Sequence, residues 1–310
     1  MVVALEAQCG LPIGNDGAVI TVGTFDGVHR GHQDVLTHLV RLAQQNRRPS
    51  VVITFEPHPL EIVRPDIAPP LLTLLEEKLE MFVQCGVTYV AVLPFTKTLA
   101  AYDADVFVDQ VLRERFRLHE LLIGHDHGFG RDRLGDSDVL RRLGADRGFN
   151  VTVLDPIHAA SGLAISSSAI RRAVAEGALE EAKEGLGRWY SVSGKVVGGD
   201  QRGRLLGYPT LNVQPPDPRK LMPPDGVYAV RVQTPQGAFG GMVNLGPRPT
   251  FNDHERRIEV HVFDASFDWY GATVRVDFVC RLRDTQSFAG PDILRAQLER
   301  DERNARSALK

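Results

Sequence analysis

Residues 18–32 read AVITVGTFDGVHRGH, and this stretch decides the fold of the first half of the chain. Its five opening residues are apolar or β-branched and predict a short buried strand. Glycines at 23, 27 and 31 let the backbone turn sharply, and the apolar spacing over residues 32–45 then predicts an amphipathic helix. A strand, a glycine-rich turn and a helix in this order predict an open parallel α/β sheet with a ligand at the helix N-terminus.

The same alternation of strands and helices continues to about Gly185. Further strands are predicted at residues 50–55, 87–93, 121–124 and 150–155. A second helix is predicted to begin at Thr73, with Glu76 completing a capping box. The fold class of this half is therefore α/β, with a doubly wound parallel sheet.

After Arg188 the pattern changes to a period of two, broken by glycine and proline turns. Strands predicted at residues 227–232, 242–245, 258–263 and 273–282 indicate an antiparallel sheet or a small β-barrel. A closing helix is predicted over residues 291–309, with a proline in its first turn. We place the boundary in the glycine-rich stretch 184–188 and predict domains over residues 1–186 and 187–310.

The composition is that of a globular protein that handles small molecules. The 310 residues are 43% apolar and 24% charged, and the formal net charge is -3. This charge gives no basic surplus for binding nucleic acid or an anionic membrane. The three cysteines form no CxxC pair, and no apolar window is long enough for a membrane span. We therefore expect a cytoplasmic protein with small-molecule partners.

His29 and His32 lie three residues apart at the start of the first predicted helix. Both imidazoles can therefore face one phosphate group. When a phosphate attacks the α-phosphate of ATP, negative charge spreads over the equatorial oxygens, and donors placed there stabilise the transition state. The alternative is a pair of surface histidines, which an isolated pair of this spacing more often is.

The segment His29-Arg30-Gly31-His32 resembles the HxGH signature of the nucleotidyltransferase superfamily. Its flanks resemble those of the prokaryotic bifunctional riboflavin kinase/FAD synthetases. Three later segments resemble the same family, namely TFEPHP at 54–59, GHDHGFG at 124–130 and ISSSAIR at 165–171. The resemblance implies catalysis by His29 and His32. It also implies nucleotide contacts from Gly23, Thr24, Phe25, Asp26, Gly31, Asp126, Ser167, Ser168 and Arg171.

Within that set, the resemblance implies that Ser167, Ser168 and Arg171 grip phosphates and that Asp126 contacts the sugar or base. Plainer interpretations exist, because residues 166–168 can cap a helix over 169–182 and Asp126 can be a turn residue. The family usually has Phe and Thr where this chain has His127 and Ser168. The sequence assigns no role to His58 or His125.

Residues 203–212, GRLLGYPTLN, carry the second candidate site. The chain has neither a Walker A sequence nor GxGxxG, so a second ATP site must be built differently. The side-chain oxygens of Thr210 and Asn212 can share one Mg²⁺ with nucleotide phosphates, presented on a turn that Pro209 fixes. Gly203, Gly207 and Pro209 are the predicted nucleotide contacts of this site.

Strand alternation predicts that Glu259, His261 and Phe263 share the face opposite the neighbouring aliphatic residues. Glu259 can then accept the proton of a hydroxyl that attacks the γ-phosphate of ATP. The alternative is an ordinary exposed carboxylate. This half resembles a riboflavin kinase module, whose PTAN motif reads PTLN here, with Leu211 in place of Ala. The resemblance places Glu259 at the catalytic base.

The resemblance runs from about Ala18 to the C-terminus and implies two-step synthesis of FAD. The C-terminal site would phosphorylate riboflavin to FMN with ATP and Mg²⁺. The N-terminal site would transfer the adenylyl group of a second ATP to FMN and release pyrophosphate. Two alternatives stay open: a nucleotidyltransferase with a non-catalytic β-rich half, and a non-catalytic flavin sensor. The residues retained in the two motifs disfavour both of these alternatives.

Overall fold

The computed structural model describes residues 3–5, 10–12, 14–124, 135–157, 165–198, 203, 206–247, 256–265 and 269–310. Internal contacts divide the chain into two compact units, Met1–Ser167 and Ser168–Lys310. Within the described ranges, no helix combines the length and apolar character needed to cross a membrane.

The first unit is built on a sheet of six parallel strands. In chain order they are β1 (Val3–Leu5), β2 (Ala18–Val22), β3 (Ser50–Glu56), β4 (Tyr89–Pro94), β5 (Leu118–Gly124) and β6 (Asn150–Leu154). Across the sheet they lie in the order β1-β4-β3-β2-β5-β6. The five predicted strands are confirmed within a few residues, and β1 is an edge strand that the sequence did not predict.

Helices connect these strands. They are α1 (Arg30–Gln45), α2 (Pro59–Val63), α3 (Leu75–Gln84), α4 (Lys97–Ala100), α5 (Ala104–Val106) and α6 (Ser137–Arg147), with a 3₁₀ turn at Pro65–Ile67 and a π-helix at Phe107–Arg113. The predicted capping box of Thr73 and Glu76 is wrong. Glu77 accepts the hydrogen bond from the Leu74 N–H at 2.9 Å, because the Thr73 hydroxyl is bonded to Asp26.

Alternate residues of the strands enter two separate cores, one on each face of the sheet. Ile20 and Leu121 belong to one buried cluster, whereas their neighbours Val19 and Leu122 belong to the other. This is the period-two alternation of a strand with both faces covered. The predicted doubly wound α/β architecture is therefore confirmed.

The second unit begins with helices and continues as a closed barrel. Helices α7 (Ser167–Glu176) and α8 (Leu179–Leu186) replace the single helix predicted over 169–182, because Gly177 between them has φ of +78° and ends α7. The barrel strands are β7 (Tyr190–Val197), β8 (Leu211–Gln214), β9 (Gly226–Thr234), β10 (Gly237–Pro247), β11 (Arg256–Val262) and β12 (Thr273–Arg283). They close antiparallel in the order β10-β11-β8-β7-β12-β9.

The closing helix α9 (Pro291–Ala308) packs against the barrel. Ala229 and Met242 form a buried cluster with Ala305 of this helix. Arg283 of β12 donates to both carboxylate oxygens of the buried Asp301 on α9, at 3.0 and 2.7 Å. The predicted barrel and closing helix are thus confirmed, although β7 and β8 were not among the predicted strands.

Candidate active sites

The loop from Gly23 to His29 leaves β2 and leads into α1. Phe25 and Val28 have φ of +49° and +37°, which non-glycine residues rarely adopt. Both side chains are nevertheless buried. Packing around the loop therefore stabilises a backbone conformation that is unfavourable for these two residues by themselves.

Asp26 fastens this loop to the segment before α3. The residue is 2% exposed, and its carboxylate accepts hydrogen bonds from the N–H groups of Leu72 at 3.0 Å and Thr73 at 2.9 Å. The Thr73 hydroxyl in turn accepts from the Gly27 N–H at 2.9 Å, and the Ser167 hydroxyl donates to the Asp26 carbonyl at 2.8 Å. The Asp26 carboxylate thus positions the loop, and its predicted nucleotide contact stays a prediction.

His29 and His32 are stacked at the N-terminus of α1. His29 is the N-cap, and its Nδ1 accepts a hydrogen bond from the His32 N–H at 3.3 Å. The neutral His29 ring therefore carries its proton on Nε2. The two ring centroids lie 3.7 Å apart with 17° between the planes, and Phe25 meets His32 edge-on at 5.1 Å. A Cβ at Gly31 would lie 3.1 Å from the His29 ring, so the glycine makes room for it.

The loop from Gly23 to His29, called the histidine loop below, lies where the strand order of the sheet reverses, and open α/β sheets bind ligands at such a reversal. The chain runs outward from β2 to β3 and β4, then crosses back to β5 on the other side of β2. Such a reversal opens a crevice at the carboxyl ends of the two neighbouring strands. The histidine loop follows β2, and residues 125–134 follow β5. Those residues, with His125, Asp126 and His127, lie outside the described part of the chain.

The other described residues predicted for the first site belong to α7. Ser167, the first residue of α7, is bonded to the Asp26 carbonyl. Ser168 is exposed on α7, Arg171 is half-buried there, and both belong to the second compact unit. Their phosphate contacts stay predictions.

Two side chains outside the loop have roles that the sequence did not assign. His58 caps α2, because its Nδ1 accepts from the Leu60 N–H at 3.2 Å and its own N–H donates to Glu61 at 3.0 Å. Lys78 of α3 donates from Nζ to the Thr24 carbonyl at 2.8 Å. Only the fold brings Lys78 to the motif, since 54 residues of sequence separate the two partners.

The second site is a row of polar residues across three barrel strands. On β11, Ile258 and Val260 are buried and the intervening Glu259 is half-buried. Glu259 is paired with Asn212 of β8 on one side and with Asn244 of β10 on the other. Directly paired residues of antiparallel strands share a face, with Cβ atoms about 4.5–5.5 Å apart. The register therefore brings together the predicted base and one predicted metal ligand, and it adds Asn244.

Residues two positions away on β11 extend this row. Arg257 approaches Glu259 with 3.5 Å between Nη1 and Oε1. His261 donates from Nδ1 to the Pro209 carbonyl at 2.8 Å, and its ring meets Tyr208 edge-on at 5.0 Å. The PTLN segment is thereby tied to the strand that carries Glu259. Sequence alone did not single out Arg257, because arginine two residues from glutamate is common on exposed strands.

The turn before β8 needs glycine at two positions. The Gly203 carbonyl accepts hydrogen bonds from the N–H groups of Leu206 at 3.1 Å and Tyr208 at 2.8 Å. A Cβ on Gly203 would lie only 2.2 Å from the Tyr208 carbonyl oxygen, and Gly207 has φ of +87°. Both glycines therefore shape the backbone that presents Thr210. Their nucleotide contacts stay predictions.

The chain matches two family models in tandem, FAD synthetase over residues 12–169 and riboflavin kinase over residues 186–309. It is 40% identical over 292 residues to the bifunctional riboflavin kinase/FMN adenylyltransferase of Escherichia coli, covering 94% of this chain and 92% of that one. The chain belongs to the bifunctional riboflavin kinase/FMN adenylyltransferase family. The family member of Haemophilus influenzae is 38% identical, with 94% of both chains covered.

A solved structure from Streptococcus pneumoniae, described as a macrolide-efflux protein, superposes with a TM-score of 0.86 at 32% identity and covers 98% of both chains. Its fold therefore extends over the whole chain. Membership of the family confirms the sequence-based expectation of a bifunctional enzyme. The chain phosphorylates riboflavin to FMN in its C-terminal half and adenylylates FMN to FAD in its N-terminal half, with ATP as the second substrate of both steps.

Proposed function

We propose that adenylyl transfer takes place at the N-terminus of α1, with His29 and His32 as the catalytic residues. The observation that carries this proposal is the stacked pair of imidazoles at the end of β2. Because the His29 Nδ1 accepts a hydrogen bond, Nε2 is the donor of the neutral ring. The FMN phosphate attacks the α-phosphate of ATP, an O–P bond forms and pyrophosphate leaves. The imidazoles and the positive end of the helix stabilise the charge that builds on the equatorial oxygens.

The residues around the pair bind and position the nucleotide in this proposal. Gly23 leaves room for the Phe25 ring, and Gly31 leaves room for the His29 ring. Thr24, Phe25 and Asp26 form the loop that leads to the pair. Asp126, Ser168 and Arg171 contribute sugar and phosphate contacts, which rest on the resemblance of their motifs alone, and Ser167 is supported by its bond to the loop.

For riboflavin phosphorylation we propose Glu259 as the base. It takes the proton of the ribityl hydroxyl as that oxygen attacks the γ-phosphate of ATP, and ADP leaves. Gly203, Gly207 and Pro209 shape the turn beneath the nucleotide. The pairing of Glu259 with Asn212 supports this assignment, because it places a carboxylate beside a neutral oxygen donor.

Thr210 and Asn212 would hold Mg²⁺ in this site. Both side chains are half-buried and offer the neutral oxygens that Mg²⁺ binds together with water and phosphate. Among the described residues, no cluster of three His, Cys, Asp or Glu side chains could hold a metal instead. When bound, the ion neutralises phosphate charge, while Glu259 handles the proton.

We also propose that the catalytic domains extend over residues 1–186 and 187–310 and that the enzyme works in the cytoplasm. The riboflavin kinase match begins at residue 186, which supports the boundary. Use of ATP in both steps supports the location.

Separation of the flavins formed by the purified protein tests these assignments. With riboflavin, ATP and Mg²⁺, we expect FMN and then FAD. FMN supplied with ATP should give FAD without riboflavin. Omission of Mg²⁺ should stop FMN formation, and Asn212→Ala should raise the Mg²⁺ concentration needed for it. Kinase activity that was independent of Mg²⁺, or unchanged in its Mg²⁺ requirement by Asn212→Ala, would contradict the metal assignment.

A further inference from the structure

Lys78 is a charged side chain in the interior of the first unit. Its residue is 5% exposed, and Nζ donates to the Thr24 carbonyl at 2.8 Å. Burial lowers the pKa of this ammonium, whereas the nearby carboxylates of Asp26 and Glu56 raise it. A lysine on an amphipathic helix normally keeps its charge in water, so this placement calls for a reason beyond packing.

The bond of Lys78 ends in the loop that carries the histidines. The Thr24 carbonyl also accepts from the Thr54 hydroxyl at 3.3 Å, so α3 and β3 hold it from two sides. Two residues further on, Asp26 is bonded to the segment that leads into α3. Lys78 thus holds Thr24, and Asp26 holds the other end of the stretch 24–26, which is followed by Gly27, Val28 and His29.

The charge of Lys78 matters as much as its hydrogen bond. Asp26 is 2% exposed, and Glu56 ends the strand next to β2. Both carboxylates lie near a loop proposed to meet two anionic substrates, FMN and ATP. A buried ammonium among them offsets their repulsion of phosphate, and this effect is strong where water is excluded.

We propose that Lys78 is a positioning residue for FMN adenylylation, fixing the Thr24 carbonyl and offsetting the negative charge of Asp26 and Glu56. This role rests on the assignment of His29 and His32 made above. Lys78 touches no reacting atom in this proposal. It acts by fixing the position of the loop, and therefore of the two imidazoles, relative to the anionic substrates.

The test is Lys78→Met, which keeps a long apolar side chain and removes the charge. We expect kcat/KM for FMN adenylylation to fall at least about tenfold, the size expected when one hydrogen bond from a charged group is lost. Riboflavin phosphorylation by the same chain should keep its kcat and KM, which measures the amount of intact enzyme, and the midpoint of thermal unfolding reports whether the first unit stays folded. Lys97→Met, at an exposed position of the same unit, is the matched control and should change neither activity.

Glu56→Gln in the Lys78→Met background separates the proposed role from a structural one. Removing one carboxylate should restore part of the lost adenylylation, because the charge balance is partly recovered. Unchanged adenylylation in Lys78→Met, absence of rescue, or a loss of adenylylation that follows the thermal unfolding of the variant would each overturn the proposal. His29→Ala run in parallel tests the site itself, and full adenylylation by that variant would reject the site assignment rather than the role of Lys78.

Discussion

The two candidate sites position their reactive side chains by different means. One is the histidine loop of the first unit, and the other is the Glu259 row of the second unit, formed by Glu259, Asn212 and Asn244. Hydrogen bonds between residues 30 to 141 positions apart in sequence hold the histidine loop, and they join buried or partly buried polar groups. The Glu259 row is set by strand register, which alone places Asn212 and Asn244 on either side of the carboxylate. Single buried contacts should therefore matter more in the first site, and backbone pairing more in the second.

Glu259→Gln should give the largest effect. Loss of the base should slow FMN formation from riboflavin by about 10²- to 10⁴-fold, since this is the usual contribution of a general base. Initial rates with supplied FMN should be unchanged, because the histidine loop lies in the other unit. The exposed Glu176→Gln is a control. Equal loss of both steps in a folded protein would show that the two sites are not separate.

His29→Ala should slow FAD formation from FMN by about 10²- to 10³-fold, the loss typical for one donor to the transition state. Riboflavin phosphorylation should continue, so FMN should accumulate. His29 also caps α1, and His29→Asn separates the two roles because Asn retains good capping. If His29→Asn were as active as the natural sequence, the imidazole would not be catalytic.

Gly31→Ala should have a smaller effect on the same step. The added Cβ would lie 3.1 Å from the His29 ring, which must move by a few tenths of an ångström. We expect adenylylation to fall by about tenfold with kinase activity unchanged. Gly198→Ala is the matched control, because nothing lies within 4 Å of the Cβ it would add. An active Gly31→Ala enzyme would mean that the stacked geometry is not needed.

Asp277→Asn should give the smallest effect, on stability alone. Burial raises the pKa of Asp277, although Arg275 opposes this. As the pH rises through the usual pKa of an aspartate, about 3.9, the unfolded carboxyl ionises before the folded one. The protein therefore loses stability until the Asp277 carboxyl of the folded state has ionised too. The free energy of unfolding of Asp277→Asn, measured against pH, should lack this decline. Parallel curves for the two proteins would reject the assigned pKa shift.

Much of the fold could be predicted because its signals are local. The strand at Ala18–Val22 and the closing helix from Pro291 carry clear periodicities. The predicted helix over 169–182 failed because Gly177 ends it, and the Thr73 cap failed because that hydroxyl serves Asp26. The bond from Thr73 to Asp26 is invisible to local pattern, whereas Gly177 is a local stop signal that the helix prediction ran through.

The candidate sites could be predicted only in part for the same reason. His29 and His32 are neighbours in sequence, so their meeting was foreseeable. Lys78 looks like an ordinary surface residue of an amphipathic helix, and only the fold brings it to Thr24. The pairing of Glu259 with Asn244 depends on register, which no short segment specifies.

The half-buried position of Glu259 between Ile258 and Val260 limits which insertions this barrel can tolerate. One residue added within β11 ahead of Glu259 would shift the alternation by one, turning the carboxylate towards the apolar interior and an aliphatic side chain towards solvent. The same insertion in the turn between β9 and β10 would lengthen an exposed connection and leave the alternation intact. Natural length variation in this family should therefore concentrate in the turns and spare β11.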